Sequence, residues 1–169
     1  LNNKTKRIIV YIVGLFILAL GLTLNTKASL GVSPIISVPY SISQITGLNF
    51  GDLTFIVYAL FVFVEIMIHL SEKNKKKIVA DLLQLPLSLV FTRLLNIFSA
   101  CIPTSSIFLV QLLILVLTII CTGIGAAMSL SMQLVPNPGD GIVQALAGKF
   151  NKSVGLTKNM FDCLSVCIT

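Results

Sequence analysis

Residues 107–130 read IFLVQLLILVLTIICTGIGAAMSL, and Cys121 is the only ionisable side chain among them. As a helix rising 1.5 Å per residue, this run reaches about 36 Å, enough to cross the ~30 Å hydrocarbon core of a bilayer. A helix that is apolar all round has no face for water, so it is buried in a large core or spans a membrane. The rest of the chain decides between the two. Of its 169 residues 56% are apolar and only 11% charged, and the mean hydropathy is +0.99. A soluble domain carries roughly a quarter charged residues, so this chain lacks the polar shell a large water-soluble core needs. A cytosolic globular enzyme, a disordered chain and a collagen-like repeat are excluded on composition. So is a disulfide-rich secreted scaffold, for which four cysteines are too few.

Three further runs have spanning length. Residues 8–24 contain no charge, 53–70 hold Glu65 and His69, and 78–102 carry Asp81, Pro86 and Arg93. A fifth run starts near Thr157 and is still apolar at Thr169, a length of thirteen residues and too short to cross. The sequence therefore reads as one membrane domain over 1–169 and as a piece of a longer protein. The run 8–24 is followed at once by more spans and lacks a convincing small-x-small cleavage site at its end, unlike a secretory signal. Ten of the twelve Lys and Arg residues fall before the first span (Lys4, Lys6, Arg7), between the second and third (Lys73, Lys75, Lys76, Lys77), or between the fourth and fifth (Lys149, Lys152, Lys158). Cations cluster in cytoplasmic loops, so the amino terminus is expected in the cytoplasm. The net charge of +6 then reflects topology and anionic lipid rather than nucleic acid.

Two stretches fit neither a span nor a solvated loop: residues 28–50, ASLGVSPIISVPYSISQITGLNF, and residues 132–154, MQLVPNPGDGIVQALAGKFNKSV. In each, Ser33-Pro34 or Asn137-Pro138 predicts an N-cap followed by the first helical position, because proline has no amide to satisfy there and the capping oxygen accepts from one of the following amides. Asp140 falls at the third position, where a carboxylate suits the positive helix end. A shift of 104 positions places Gly21 on Gly125, Leu30 on Leu134, Pro34 on Pro138 and Gly51 on Gly155, with Ser33 over Asn137 and Val38 over Ile142. The order span, short helix, span recurs with it. Repeat 1 covers about 8–102, and repeat 2, incomplete, about 107–169. Three spans separate their starts, so the second enters the membrane in the opposite sense. Inverted repeats with interrupted helices are a plan of secondary transporters, whose helix ends aim at the solute. Amides of Gly31, Ser33 and Pro34's neighbours, and of Asn137, Gly139, Asp140 and Gly141, would then favour an anionic or carbonyl-bearing group. The other reading lays both short helices flat at the interface or has them simply cap the bundle.

The string Ala28-Ser29-Leu30-Gly31-Val32-Ser33-Pro34, the turn Gly47-Leu48-Asn49-Phe50-Gly51, and Val135-Pro136-Asn137-Pro138-Gly139-Asp140-Gly141 resemble the YczE/YyaS/YitT group of bacterial integral membrane proteins. The resemblance covers most of the chain. It implies a bacterial plasma-membrane protein and no particular substrate.

The fold class expected is an all-α polytopic transmembrane bundle with two short re-entrant or interfacial helices. The candidate substrate-binding residues are Gly31, Ser33, Pro34, Tyr40, Asn137, Pro138, Gly139, Asp140 and Gly141. Glu65, Arg93 and Asp162 are candidate intramembrane charges, each costly at depth and so a functional candidate. Glu65 is free to exchange protons or to meet Lys76 or Lys77; Asp81 and His69 are expected at the interface. Arg93 lies toward the outer side, with Asp52 as its expected partner. Gly14, Gly21, Gly123 and Gly125 offer close helix approach, and Pro86 removes a hydrogen bond from the third span. No catalytic group, metal site or cofactor is expected: His69 lacks a relay beside it, and no phosphate loop or zinc motif occurs. The function expected is transport of a small solute. The alternative is a membrane scaffold stabilising a partner. Expected partners are lipids, a small solute, and a second copy or another membrane protein, with no nucleic acid.

Overall fold

The computed structural model describes residues 3–169 as seven helices: α1 (Asn3–Ala28), α2 (Pro34–Thr46), α3 (Phe50–Ser71), α4 (Lys75–Cys101), α5 (Phe108–Ser131), α6 (Pro138–Lys149) and α7 (Val154–Ile168). No strand occurs among the described residues. Four helices, α1, α3, α4 and α5, are long and apolar enough to cross a membrane. On α5 the side chains of Phe108, Leu109, Leu113 and Ile119 stay exposed, which suits lipid and would be a liability in water. The protein is an integral membrane protein with several spans. By contrast α2 and α6, with 13 and 12 residues, reach only about 20 Å and 18 Å, short of a bilayer core.

The chain forms two compact units. One comprises the chain up to Ser33 together with Phe91–Leu134. Its centre is α1 against α5, and glycines set the approach. A Cβ on Gly125 would stand 2.5 Å from the backbone nitrogen of Leu18; on Gly21, 2.7 Å from that of Thr122; on Gly14, 2.9 Å from that of Ser129. Numbers rise along one helix as they fall along the other, so the pair is antiparallel. Without a hydrophobic force between helices in lipid, backbones this close gain dispersion contacts that larger residues would forfeit. Gly123 has nothing within 4 Å of its Cβ position, so three of the four expected packing glycines lie in the seam. Phe16 meets Phe98 edge to face at 5.0 Å, and Arg7 donates to the Met132 carbonyl at the far end. Beyond Ala28 the chain turns through Gly31, whose φ of +114° disfavours any side chain. The Ser33 amide donates to Asn25 Oδ1 at 2.6 Å.

The other unit comprises Pro34–Val90 and Val135–Thr169. Both short helices start at their prolines as expected. The capping expected at Asn137 is absent: its backbone is extended, at φ −65° and ψ 139°, but its side chain makes no cap bond. Its carboxamide instead donates to Tyr58 Oη at 3.4 Å, while its carbonyl accepts from the amides of Asp140 and Gly141, both at 2.8 Å. Asn49 does cap α3, its Oδ1 accepting from the Gly51 amide at 3.0 Å. On α3 the residues Gly51, Thr54, Tyr58, Val62, Glu65, Ile68 and His69 are buried. Their spacing of three and four makes one continuous face. Helix α3 packs on α2 and α6, and α7 packs on α2 and α6. The first turns of the short helices meet, with a Cβ on Gly139 falling 2.8 Å from Ile35 Cγ2.

Candidate functional site

The buried face of α3 carries four polar side chains, Thr54, Tyr58, Glu65 and His69, in a helix otherwise dominated by apolar residues. The turn at residues 72–74 reverses the chain, with Lys73 at φ 54°. This sets a register in which Asp81 comes opposite His69, and Gln84 opposite Glu65. His69 Nδ1 lies 2.6 Å from Asp81 Oδ2, and both residues are buried. One turn deeper, Gln84 Nε2 donates to Glu65 Oε2 at 2.7 Å. Glu65 and Gln84 are each 1% exposed. Ser88 continues the buried polar stripe of α4.

The first turn of α6 closes this site. A Cβ on Gly141 would fall 2.7 Å from Glu65 Oε2 and 2.9 Å from Oε1. Glycine is therefore what allows the carboxyl group to rest on the α6 backbone. Two acceptors in this packing receive no hydrogen bond: Glu65 Oε1 and Gln84 Oε1, both buried. A buried acceptor without a donor loses its hydration for nothing in return. The pair thus marks the least satisfied point of the buried polar network.

The sequence-predicted residues divide as follows. Asn137, Pro138, Gly139, Asp140 and Gly141 gather at the start of α6 with Tyr58 and Glu65. Asp140 pairs with Lys158 of α7 at 3.1 Å, a half-exposed bond of small energetic weight. Tyr40 stacks edge to face on Phe50 at 5.9 Å. Pro34 starts α2 in the same unit. Gly31 and Ser33 belong to the other unit, as does Arg93, which is exposed. Asp162, on α7, has a buried Oδ1 that accepts no hydrogen bond.

The structure bears on three further expectations. Glu65 meets neither Lys76 nor Lys77: it turns to Gln84, and Lys77 pairs at 3.5 Å with Glu72. Asp81 and His69, expected singly at the interface, lie near the joined ends of α3 and α4 and are buried against each other, each supplying the partner the other needs to leave water. Of the amides expected to form a cradle at the short helices, those of Ser33, Asp140 and Gly141 have acceptors within the chain. Gln84 escaped notice as a site residue because it is neutral and alone in its run. Its spacing offered a signal: 81, 84 and 88 on one helix, set against 65 and 69 across a three-residue turn, align polar residues on facing stripes.

No curated protein and no solved structure matches the chain. From residue 5 to residue 169 the sequence matches a family of unknown function, and with nearly its whole length covered, the chain belongs to that family, DUF6198.

Proposed function

We propose that the protein is a small-solute transporter or permease built as an inverted repeat, with α1–α3 repeated by α5–α7. The observation that carries this reading is an exchange of contacts. Moved by 104 positions, α1 covers residues 107–132, α2 covers 138–150 and α3 begins at 154; α5, α6 and α7 occupy Phe108–Ser131, Pro138–Lys149 and a helix beginning at Val154. Gly21 meets Thr122 while Leu18 meets Gly125: one contact, with the repeats exchanged. Glu65 meets Gly141, and Ser37 Oγ lies 2.8 Å from Thr169 Oγ1, again the same pair exchanged. Ile35 meets Gly139, its own counterpart. Contacts that survive exchange of partners are the signature of a two-fold relation, and α1 and α5 run antiparallel, as elements of opposite membrane sense must. In such folds the interrupted helices meet at the solute. Here α2 and α6 meet at their first turns beside a buried carboxyl group.

The distribution of Lys and Arg supports a cytoplasmic amino terminus, and the resemblance to the YczE/YyaS/YitT group supports a bacterial plasma membrane. An enzyme is not proposed. The test is flux or binding with the full-length protein in proteoliposomes, over a panel of inorganic anions, amino acids and metabolites. A solute should be found whose flux falls at least tenfold in Asn137→Ala and Asp140→Asn while both variants stay folded. Absence of flux and binding across the panel would count against transport and leave a scaffold role.

A further inference from the structure

We infer that the Glu65–Gln84 pair is a proton-binding site, with Glu65 Oε1 as the atom that takes the proton. The inference deepens the transporter reading, and rests on it only for the statement that this proton is coupled to solute movement.

Charge and geometry carry the argument. Glu65 lies six residues before Ser71, the end of its span, about 9 Å along the helix axis. It is 1% exposed. Among the described residues no lysine or arginine bonds to it; the neutral carboxamide of Gln84 donates to it, and the Asp81 carboxyl group lies close enough to accept from it once it carries a proton. An ionised carboxylate at such a position must be neutralised by a cation or a proton. The two acceptors left without donors say which. With Gln84 Nε2 donating to Glu65 Oε2, the oxygens that remain are Glu65 Oε1 and Gln84 Oε1. A proton on Glu65 Oε1 turns that orphan acceptor into a donor. It also removes the charge that the site has no cation to balance.

The step balances simply. Hydronium gives its proton to Glu65 Oε1, an O–H bond forms there, a water molecule is left, and the charge of the site goes from minus one to zero. The titratable groups around Glu65 are Tyr58 and His69 on its own helix, Asp81 on α4, Asp140 on α6, and Lys158 and Asp162 on α7. Asp81 is held by His69 and Asp140 by Lys158, so each nearby acid other than Glu65 and Asp162 already has a basic partner. Gly141 fixes the carboxyl against the first turn of α6. Gain or loss of the proton is therefore felt by a short helix that the transporter reading places at the solute.

The test uses the full chain in lipid and infrared difference spectroscopy, which needs no solute. At neutral pH the wild type should show the carbonyl stretch of a protonated, hydrogen-bonded carboxylic acid, vanishing as pH is raised. Glu65→Gln should lose that band while keeping its elution profile, since glutamine imitates the neutral acid. Gln84→Leu should move the band to higher frequency without removing it, which keeps the test open if Glu65→Gln fails to fold. Loss of the band in Asp81→Asn or Asp162→Asn, with retention in Glu65→Gln, would overturn the assignment. So would absence of the band together with a sodium-dependent rise in melting temperature that Glu65→Gln abolishes, because a metal cation would then bridge the two oxygens. A band without any solute flux sinks the coupling and leaves the proton site; flux without a band does the reverse.

Discussion

Gly125→Ala is expected to lower stability by about 1–3 kcal/mol, the cost of overpacking a closed contact, and Gly125→Leu to abolish the folded protein. The reason is the identity of the atoms in the way. A Cβ at this position meets the Leu18 nitrogen at 2.5 Å and the Leu18 Cα and Gly14 oxygen at 2.8 Å. All three belong to the backbone of α1, so no rotamer change relieves the clash and the helices must separate. Separation forfeits dispersion along the whole seam, the main source of association between helices in lipid. The control lies two residues away. Gly123 is on the same helix with nothing within 4 Å, so Gly123→Ala should be neutral or gain up to about 1 kcal/mol through helix propensity. Denaturation in mixed micelles, followed by circular dichroism, reads both. Equal behaviour of the two variants would contradict the seam.

The second large effect is expected at Gln84. Gln84→Leu removes the donor to Glu65 Oε2 and leaves a carboxyl group that is 1% exposed with no hydrogen-bond donor. Stranding a buried polar group costs about 1–3 kcal/mol, rising to about 3–5 kcal/mol for an uncompensated charge. The companion Glu65→Leu/Gln84→Leu should be more stable than Gln84→Leu alone, since removing both partners leaves nothing unsatisfied. The same denaturation assay decides this. A double variant less stable than the single one would mean that Glu65 is held by something other than Gln84.

The sequence told much about the frame and less about the interior. The four spans were legible because bilayer thickness fixes their length, and 107–130 could be nothing shorter. Helices starting at Pro34 and Pro138 were legible because proline is tolerated at the first helical position and Asp140 suits the positive end. The seam glycines were half legible: small residues announce close approach, but whether Gly123 or Gly125 faces α1 depends on the rotation of α5, which a run apolar on every side does not encode. The buried pairs were the least legible part. Glu65 looked like a candidate for the cytoplasmic lysines because they are near in sequence, whereas Lys77 pairs with the exposed Glu72 and Glu65 faces inward to Gln84. His69 and Asp81 were legible as polar residues near helix ends, but their burial against each other depends on the register of α3 and α4 across the turn, which neither residue shows alone.

The most direct test of the inverted arrangement is the side of the membrane on which each short helix begins. Ser29→Cys and Gln133→Cys, placed in a background with the four native cysteines replaced, can be challenged in intact cells with a membrane-impermeant maleimide. Ser29→Cys should label from outside, and Gln133→Cys only after the cells are opened. Labelling of both from the same side would contradict the inverted repeat and the transporter reading built on it.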